Sequence, residues 1–360
     1  MRLDKLTMNK KILILTGKAG QGHISIAKSL EYWTAQWGLE PKVLDILPGY
    51  INTTYKLNLK ARTHQPIFKL TNNRYLSKLM VVGFNGSLEE RVEALCPEYK
   101  DFDIAISTHP LLHPNFAKTN IIILPDPSIH GMYLASPRPK HYISYWKQDR
   151  RFDFLGPLAR KGFYDELKYT AKQGLKKENG FDPAKTTILI LAGGEWINKS
   201  QDYIDMLGYA FDPEKYEFVF VCGKNDRFRR EMERQYQDVN FKFLGWMDDV
   251  QMNKVLRSGD CGLCFSTGSA IITESGICKL PLYIIDTLGA QENGYIQIVE
   301  KNGVGRYIKD SYWEKMDRLK ELIPQTQKHF EKNLNKWGDY LISRPKDWET
   351  FFTKKVIQAH

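Results

Sequence analysis

The chain has 360 residues, too many for one ordinary hydrophobic core and enough for two domains of about 150–200 residues each. Hydrophobic residues make up 42% of it and charged residues 26%, which excludes a wholly disordered protein. The formal net charge is +10, and the longest apolar runs are strand-sized, which excludes a membrane-spanning helix of ~20 residues. Since no signal-peptide core follows the N-terminus, the sequence predicts a cytoplasmic protein.

The first half of the chain alternates apolar segments of strand length with helix-length segments. Its first apolar segment leads into a glycine-rich turn and an amphipathic helix, in which Ile24, Ala27 and Leu30 recur at helical spacing before Gly38 ends it. Each of the five predicted strands is short and apolar, as buried parallel strands are. These strands comprise residues 11–16, 42–46, 103–107, 120–124 and 141–145.

The second half repeats this alternation after a lysine-rich helix predicted for residues 164–177. Its predicted strands comprise residues 187–192, 217–222, 241–244, 262–265, 282–285 and 305–308. From about residue 315 onward the polar sequence predicts helices, with tryptophans and phenylalanines that supply apolar contacts. Short strands that alternate with helix-length segments predict an α/β fold with a doubly wound parallel sheet in each half.

Two such domains in tandem predict a ligand cleft between them, at the carboxyl ends of the strands. The predicted boundaries are residues 1–175 for the first domain and 176–320 for the second. Residues 321–360 are expected to form helices that pack back on the first domain.

Most of the positive charge lies in the first half. Residues 1–170 hold 24 basic and 15 acidic side chains, against 28 and 27 in the remainder, and residues 51–88 hold no acidic side chain. Basic residues interleaved with aromatic and aliphatic ones predict a surface for an anionic membrane. A solvated basic helix pair and a nucleic-acid surface are the alternatives. The residues expected at the membrane are Lys56, Lys60, Arg62, Phe68, Lys69, Arg74, Tyr75 and Lys78.

Two short motifs resemble metal sites and are better explained as structure. Cys261 and Cys264 form a C-x-x-C inside an apolar segment, with no second ligand pair elsewhere, so we predict a buried strand. Asp101-Phe102-Asp103 matches the D-x-D pattern of metal-dependent transferases. Because it precedes its strand instead of following it, we predict a solvated turn.

A glycine-rich loop, Gly17-Lys18-Ala19-Gly20-Gln21-Gly22-His23, follows the first strand and opens the first helix. Its glycines permit a tight turn, and the helix N-terminus offers free N–H groups to an anion. The spacing matches neither the dinucleotide pattern G-x-G-x-x-G nor the Walker A loop, which disfavours NAD and ATP. His23 lies at the positive end of the helix dipole, so we expect either a neutral imidazole that accepts a proton or a capping histidine.

Four more polar loops follow strands of the second half. Ser266-Thr267-Gly268-Ser269 begins a helix, and small hydroxylated residues with a glycine there suit a diphosphate. Glu274 lies one turn further along, where a carboxylate can accept hydrogen bonds from ribose hydroxyls. Residues 289–294 carry the amide and carboxylate groups that sugar hydroxyls require. The other two loops are Gly193-Gly194-Glu195 and Cys222-Gly223-Lys224-Asn225.

Taken in order, these motifs resemble glycosyltransferase family 28, which contains the monogalactosyldiacylglycerol synthases, the processive diacylglycerol glucosyltransferases and the enzyme that transfers N-acetylglucosamine to lipid I. The resemblance covers nearly the whole chain. It includes the loop that ends in Gly-His, a Ser-x-His-Pro motif, a Pro-Asp segment and a Gly-Pro pair in the first half. The matching stretches are residues 20–23, 107–110, 124–126, 156–157, 193–195, 222–225, 244–249, 266–274 and 291–293.

The resemblance implies a GT-B fold, in which two Rossmann-like domains face a cleft and the C-terminal domain holds a UDP-sugar. It implies that His23 is the catalytic base and that the backbone near Trp246-Met247 meets the uracil. Glu274 would contact the ribose. The donor-binding residues implied are Gly194, Glu195, Gly223, Asn225, Trp246, Met247, Thr267, Gly268, Ser269, Glu274, Gln291 and Glu292. Those implied on the acceptor side are Lys18, Gly20, Gln21, Gly22, His109 and Asp126.

By the same resemblance, the reaction needs a base for the acceptor hydroxyl and a group that stabilises the departing UDP. A helix N-terminus stabilises UDP without a metal, so no cofactor and no essential metal are expected. Two positions depart from the pattern of the lipid synthases: Lys18 stands in place of an aspartate and Gln21 in place of a glycine. The first change removes a carboxylate near His23 and places a cation where an anionic acceptor could bind.

The predicted function is that of an inverting hexosyltransferase, which transfers a sugar from a UDP-sugar to a hydroxyl of a lipid or membrane-surface acceptor in glycolipid synthesis. We expect it to associate peripherally with the cytoplasmic membrane face and not to bind nucleic acid. Two alternatives remain. One is a UDP-sugar 2-epimerase of the same fold, and the other is a non-catalytic nucleotide-sugar-binding protein on a transferase scaffold.

Overall fold

The computed structural model of the protein describes residues 10–17, 22–60, 64–135, 141–147, 150–165, 167, 171–194, 201–237, 239–287 and 292–357. The chain forms two compact units. Unit 1 comprises Met1–Arg160 and Ser343–His360, and unit 2 comprises Lys161–Ile342. Each unit is built around its own six-stranded sheet.

The sheet of unit 1 is parallel throughout, with the strand order β2-β1-β3-β4-β5-β6. Its strands are β1 Lys11–Thr16, β2 Glu40–Asp45, β3 Ile104–Ser107, β4 Thr119–Leu124, β5 His141–Ser144 and β6 Asp153–Phe154. The first five confirm the sequence prediction to within two residues. The sixth is a two-residue edge strand, too short to produce an apolar pattern.

Helices pack on this sheet in an order set by the chain. They are α1 Gly22–Gln36, α2 Gly49–Lys60, α3 His64–Thr71, α4 Arg74–Asn85 and α5 Leu88–Leu95. Helix α1 ends as predicted: Gly38 has a φ of +79°, and its N–H donates to the Ala35 carbonyl oxygen at 3.1 Å. Only glycine adopts that left-handed conformation without strain.

The core of unit 1 lies on both faces of its central strands. On one face Leu13 and Leu15 pack with Leu88 and Val92 of α5, and the residues between them, such as Ile14, are also fully buried. Burial on both faces explains why these strands have continuous apolar sequences instead of alternating ones.

The sheet of unit 2 is also parallel, with the order β12-β11-β10-β7-β8-β9. Its strands are β7 Thr186–Leu191, β8 Tyr216–Val221, β9 Phe241–Leu244, β10 Cys261–Cys264, β11 Leu282–Ile284 and β12 Gly305–Tyr307. All six were predicted to within one residue. The two doubly wound sheets confirm the α/β class predicted from the sequence.

The helices of unit 2 connect these strands. They are α6 Lys172–Glu178, α7 Gln201–Ala210, α8 Asp226–Gln235, α9 Asp249–Ser258, α10 Ser269–Ile277, α11 Asn293–Lys301 and α12 Tyr312–Leu322. Helix α13, Thr326–Phe351, contributes residues to both units, and a π-helical turn, Phe352–Ile357, follows it. The lysine-rich helix α6 begins later than predicted, because the chain first makes a tight turn at Lys161–Phe163, where Tyr164 N–H donates to the Lys161 carbonyl oxygen at 2.8 Å.

Specific hydrogen bonds assign the connecting segments to their units. The Gly162 N–H donates to Asp249 Oδ2 at 2.7 Å, and Asn253 Nδ2 donates to the Gly162 carbonyl oxygen at 2.7 Å, so this segment belongs to unit 2. The Trp348 indole N–H donates to the Gly156 carbonyl oxygen at 2.9 Å, so the end of α13 belongs to unit 1. The divisions after residues 160 and 342 therefore differ from the predicted ones after residues 175 and 320.

The C-x-x-C pair occupies the ends of β10. Cys261 and Cys264 are both fully buried free thiols, and burial raises the pKa of each well above the ordinary range. The interpretation of this motif as a buried strand is confirmed.

No helix in the part of the chain that the structure describes is long and apolar enough to cross a membrane.

We expect Trp348→Ala to lower the free energy of unfolding by about 3–5 kcal/mol, because it empties a fully buried indole site and leaves the Gly156 carbonyl oxygen without this donor. Urea unfolding followed by circular dichroism measures the change. Trp313→Ala is the matched control, since that indole is 67% exposed, and its effect should stay within about 0.5 kcal/mol. Equal effects of the two substitutions would contradict the packing described for Trp348.

Candidate functional site

Neighbouring strand ends of unit 1 surround His23. Thr16 ends β1, Thr108 follows β3 and Asp126 follows β4, and these strands are adjacent in the sheet. The Thr108 hydroxyl lies 3.0 Å from the Thr16 hydroxyl oxygen, and Thr108 N–H donates to the Leu15 carbonyl oxygen at 3.0 Å. The loop after β3 is therefore held against the end of β1, next to the start of α1.

One hydrogen bond determines the tautomer of His23. Its Nδ1 lies 2.5 Å from the Thr108 carbonyl oxygen, and because a carbonyl oxygen only accepts, Nδ1 carries the proton. Nε2 of the neutral ring therefore has a lone pair, as a general base requires. Desolvation lowers the pKa of His23 below its usual 6.5, although the charge of Asp126 and the bond to Thr108 act to raise it.

A second histidine, His109, lies against His23 with the opposite tautomer. The two ring centroids are 4.7 Å apart in an edge-to-face arrangement. His109 Nδ1 accepts from the Leu111 N–H at 3.2 Å, so the proton of the neutral ring is on Nε2. Desolvation, followed by the charges of His23 and His113, holds the pKa of His109 well below 6.5. The pair places one proton acceptor and one proton donor side by side.

Asp126 is the acidic residue of this site. It is half-buried, and its charge acts on both His23 and Tyr133. The Tyr133 hydroxyl is buried without a hydrogen-bond partner in the described ranges, and burial, together with Asp126, raises its pKa well above the ordinary value. A proton taken up by His23 would have Asp126 as its counter-charge.

The rest of the predicted acceptor loop is described only at its end. Gly22 is the exposed first residue of α1, whereas Lys18, Gly20 and Gln21 lie outside the described residues. The effect of Lys18 on His23 stays a prediction.

In unit 2, the loops after β7 and β8 contact each other. Lys224 N–H donates to the Gly194 carbonyl oxygen at 2.9 Å. Gly223 has a φ of +59°, and a Cβ there would lie 2.3 Å from the same oxygen, so this close approach requires glycine. Gly194 and Gly223, both predicted on the donor side, thus lie together. Glu195 lies outside the described residues.

The loops after β10 and β11 are joined through Glu292. Its Oε1 accepts from the Ser266 hydroxyl at 2.8 Å, and its Oε2 accepts from Thr267 N–H at 2.9 Å and lies 3.3 Å from the Thr267 hydroxyl. A side chain expected at the sugar therefore contacts the loop expected at the diphosphate. Gln291, its predicted companion, lies outside the described residues.

Helix α10 begins beside this loop with unsatisfied donors. Gly268 is its N-cap residue, and no side chain caps the helix. A Cβ on Gly268 would meet no atom within 4 Å, so open space borders the backbone there. The Ser269 hydroxyl is buried without a hydrogen-bond partner among the residues described. Free N–H groups, the positive end of a dipole and this hydroxyl together suit an anion.

A cavity of about 250 Å³ lies at the loop after β9. Its wall includes Trp246 and Met247, the predicted uracil contacts, with Asn179, Gln251 and Val255 from the adjoining helices. The Trp246 side chain is 50% exposed, and Lys224 Nζ lies 4.4 Å from its ring centroid in a cation–π contact. The cavity coincides with the position expected for a base.

Two further donor-side residues have clear structural surroundings. Glu274 is buried on α10 and is 3% exposed. The Asn225 side chain accepts from Phe228 N–H at 3.1 Å and so caps α8. Their contacts with a nucleotide sugar stay predictions.

The basic surface predicted for residues 51–88 comprises α2, α3 and α4. On α4 an apolar stripe faces solvent: Tyr75, Leu79 and Val82 are 84%, 70% and 55% exposed and recur at helical spacing. The exposed basic side chains next to it in sequence are Lys69, Arg74 and Lys78. We call these six residues the α4 surface.

The other residues predicted at the membrane differ from this group. Phe68 is partly buried, with its ring centroid 4.6 Å from that of His130. Arg62 lies outside the described residues, and of Lys56 and Lys60 the structure describes only the backbone, in α2.

Two residues of these sites appear in the sequence only inside motifs. Thr108 orients His23 through its carbonyl oxygen, and Ser266 anchors Glu292. A main-chain carbonyl has no residue-specific signal, and Ser266 carries its partner's position only through the fold. Their locations directly after β3 and β10 were the available signal.

No three or more His, Cys, Asp or Glu side chains within the described ranges form a group that could hold a metal ion. The D-x-D motif precedes β3 as predicted, and Asp103 accepts from Lys118 Nζ at 2.9 Å. That aspartate forms a surface ion pair, in agreement with the solvated turn expected there.

No protein-family model matches the chain. Curated proteins with similar sequences include monogalactosyldiacylglycerol synthase 2 of Arabidopsis thaliana, 23% identical over 338 residues, with 83% of this chain and 71% of that protein covered. They also include the processive diacylglycerol beta-glucosyltransferase of Bacillus pumilus, 25% identical over 338 residues, with 84% of each covered. The resemblance stated from the motifs is confirmed.

Solved structures with similar folds include the glycosyltransferase of kitacinnamycin, with a TM-score of 0.61, 13% identity and coverage of 95% of this chain and 97% of that one. Another is Anabaena Alr3699/HepE in complex with UDP, with a TM-score of 0.56, 13% identity and coverage of 97% and 99%. At these identities the likeness shows the fold, and the GT-B class predicted from the sequence is confirmed.

We predict that acid destabilises the fold through the histidine pair. His23 and His109 have folded pKa values below the ordinary 6.5, so the unfolded chain binds more protons, and stability present above about pH 6.5 is lost as the pH falls towards the folded pKa values. Urea unfolding at about pH 7.5 and 5.5 measures the loss. His23→Gln/His109→Gln should reduce the loss by about 1–2 kcal/mol.

His329→Gln is the control for this measurement, since that side chain is exposed. It should show the wild-type loss of stability. The same loss in the double variant would mean that the pair does not titrate as described.

Proposed function

We propose that the chain is an inverting glycosyltransferase that moves a sugar from a UDP-sugar to a hydroxyl of a lipid or membrane-borne acceptor, as in glycolipid synthesis. The observation that carries the proposal is the uncapped start of α10, where Gly268 borders open space and the buried Ser269 hydroxyl has no hydrogen-bond partner within the described part of the chain. The relatives named above are a monogalactosyldiacylglycerol synthase and a diacylglycerol glucosyltransferase, which supports a diacylglycerol-type acceptor.

On the donor side, unit 2 offers a group for each part of a UDP-sugar. The cavity beside Trp246 and Met247 would receive the uracil, and the start of α10 would receive the diphosphate. Partial positive charge at a helix N-terminus stabilises the negative charge that develops on departing UDP. The proposed mechanism therefore needs no metal ion.

On the acceptor side, His23 supplies the base. Its Nε2 would take the proton of the acceptor hydroxyl while that oxygen forms a bond to the anomeric carbon. The bond between the anomeric carbon and the diphosphate oxygen breaks, its electron pair leaves with UDP, and the configuration at the carbon is inverted. The new imidazolium is stabilised by the charge of Asp126, which already acts to raise the pKa of His23.

The α4 surface supports attachment to an anionic membrane. Tyr75, Leu79 and Val82 form an exposed apolar stripe, and exposed basic side chains accompany it. Apolar insertion combined with attraction to anionic headgroups is how peripheral proteins bind membranes. We propose that the protein binds the cytoplasmic membrane face in this way, where a lipid acceptor is available.

Our first test measures sugar transfer from UDP-glucose, UDP-galactose and UDP-N-acetylglucosamine to diacylglycerol in mixed vesicles, with EDTA present. We expect His23→Ala to lower turnover by about 10²–10⁴-fold, because the base is lost. Its affinity for UDP in titration calorimetry should stay at the wild-type value.

His329→Ala, an exposed histidine, serves as the control and should retain full turnover. Near-normal turnover of His23→Ala would exclude His23 as the base, and loss of wild-type turnover in EDTA would exclude metal-independent transfer. Epimerised sugar from a UDP-sugar incubated without acceptor would establish the epimerase alternative. Tight UDP binding with no turnover on any acceptor would establish the non-catalytic one.

Our second test measures co-sedimentation with vesicles. Binding should increase with the fraction of anionic lipid and decrease with salt, because exposed charges are screened within about 10 Å at 0.1 M ionic strength. Lys69→Gln/Arg74→Gln/Lys78→Gln should weaken binding at least tenfold, since each charge contributes about 1 kcal/mol near the surface. Tyr75→Ser/Leu79→Ser/Val82→Ser should weaken it on neutral and anionic vesicles alike.

Leu95→Ser is the matched control, because Leu95 on α5 is 56% exposed and lies outside the α4 surface. It should bind as the wild type does. Equal binding of the wild type to neutral and anionic vesicles would exclude an electrostatic attachment.

A further inference from the structure

Glu292 occupies an unusual position for a side chain expected to bind a sugar. It directly precedes α11 and is 4% exposed. Both of its oxygens are engaged by the loop after β10: one by the Ser266 hydroxyl at 2.8 Å, the other by Thr267 N–H at 2.9 Å. These donors are themselves buried. A carboxylate committed to its own protein on both oxygens is not arranged to accept sugar hydroxyls.

The contacts of Glu292 determine the conformation of the loop that leads into α10. At the start of this loop Phe265 N–H donates to the Leu191 carbonyl oxygen at 2.8 Å. Two residues later Thr267 N–H donates to Glu292. The chain is thus anchored on both sides of Ser266, immediately before Gly268 and the first free N–H groups of α10.

The geometry points to Glu292 as a positioning residue for the diphosphate, which acts through the loop 265–268 and not by contact with the sugar. This inference rests on the proposed function, because it assumes that UDP binds at the start of α10. By consuming Thr267 N–H, the carboxylate leaves the N–H groups that follow directed at the anion. Donors held in place before binding lose no conformational freedom when the ligand arrives.

The cost of burying this charge agrees with such a role. A buried carboxylate near an anion site repels the anion unless hydrogen bonds to it compensate. Glu292 has these bonds from a main-chain N–H and two hydroxyl groups. Its charge still reaches the strand below, since it adds to the burial that raises the pKa of Cys264.

The test compares UDP with UDP-glucose in titration calorimetry. For Glu292→Ala we expect UDP and UDP-glucose to bind about tenfold more weakly, by the same factor, because the shared diphosphate site loses its support. Glu292→Gln should stay within about threefold of wild type for both, since its Oε1 can accept from Thr267 N–H and its Nε2 can donate to the Ser266 hydroxyl. Rescue by the amide distinguishes positioning from a general loss of stability.

Unchanged UDP affinity of Glu292→Ala, with weaker binding of UDP-glucose only, would overturn the inference and restore Glu292 as a sugar ligand. Ser266→Ala tests the same contact from the other end and should weaken both ligands equally, with no additional effect in the Glu292→Ala background. Full affinity of Ser266→Ala for UDP would overturn the inference even if Glu292→Ala does not fold. Glu300→Gln, whose carboxylate accepts from Tyr307 N–H at 3.2 Å, is the matched control on α11 and should bind normally. A wild-type protein that binds neither ligand would refute the proposed function itself.

Discussion

Parallel strand pairing brings the ends of all strands in a sheet to one edge, and the chemistry of both units depends on this constraint. Ladder hydrogen bonds consume the N–H and C=O groups within the strands, so the polar groups available to a ligand lie in the loops at that edge. In unit 1 the ends of β3 and β4 bring Thr108 and Asp126 to His23. In unit 2 the loops after β7 and β10 flank the start of α10, and Glu292 reaches them from the end of β11.

The two units use this edge for different chemistry. Unit 1 concentrates titratable groups whose burial keeps them neutral, and its hydrogen bonds assign opposite tautomers to His23 and His109. Unit 2 concentrates main-chain donors, with glycines where the backbone must approach closely, as at Gly223 beside Gly194. The first arrangement suits proton transfer and the second suits anion binding, which are the two tasks of transfer from a nucleotide sugar.

Helix α4 shows how a single amphipathic pattern can have two outcomes. Ser77 and Val81 are buried against unit 1, whereas Tyr75, Leu79 and Val82 on the other side are exposed. From the sequence, both sets were apolar or small residues at helical spacing, and nothing distinguished the covered face from the open one. The contact between α4 and the short helical turn at Gly131–Leu134 decides it, since that turn lies more than forty residues further along the chain.

The sequence by itself determined the strands, their parallel order in two α/β sheets and the loops that carry polar groups, because apolar run length and glycine punctuation are local signals. It also placed His23 and Gly268 at helix starts, where the structure has them. Only the tertiary structure decided which partner each polar atom has. The proton on His23 depends on a carbonyl oxygen 85 positions away, and Glu292 turns to Ser266 instead of a sugar because the neighbouring loop supplies its donors. Hydrogen bonds between distant segments leave no trace in composition or spacing, since they exist only after the strands have paired.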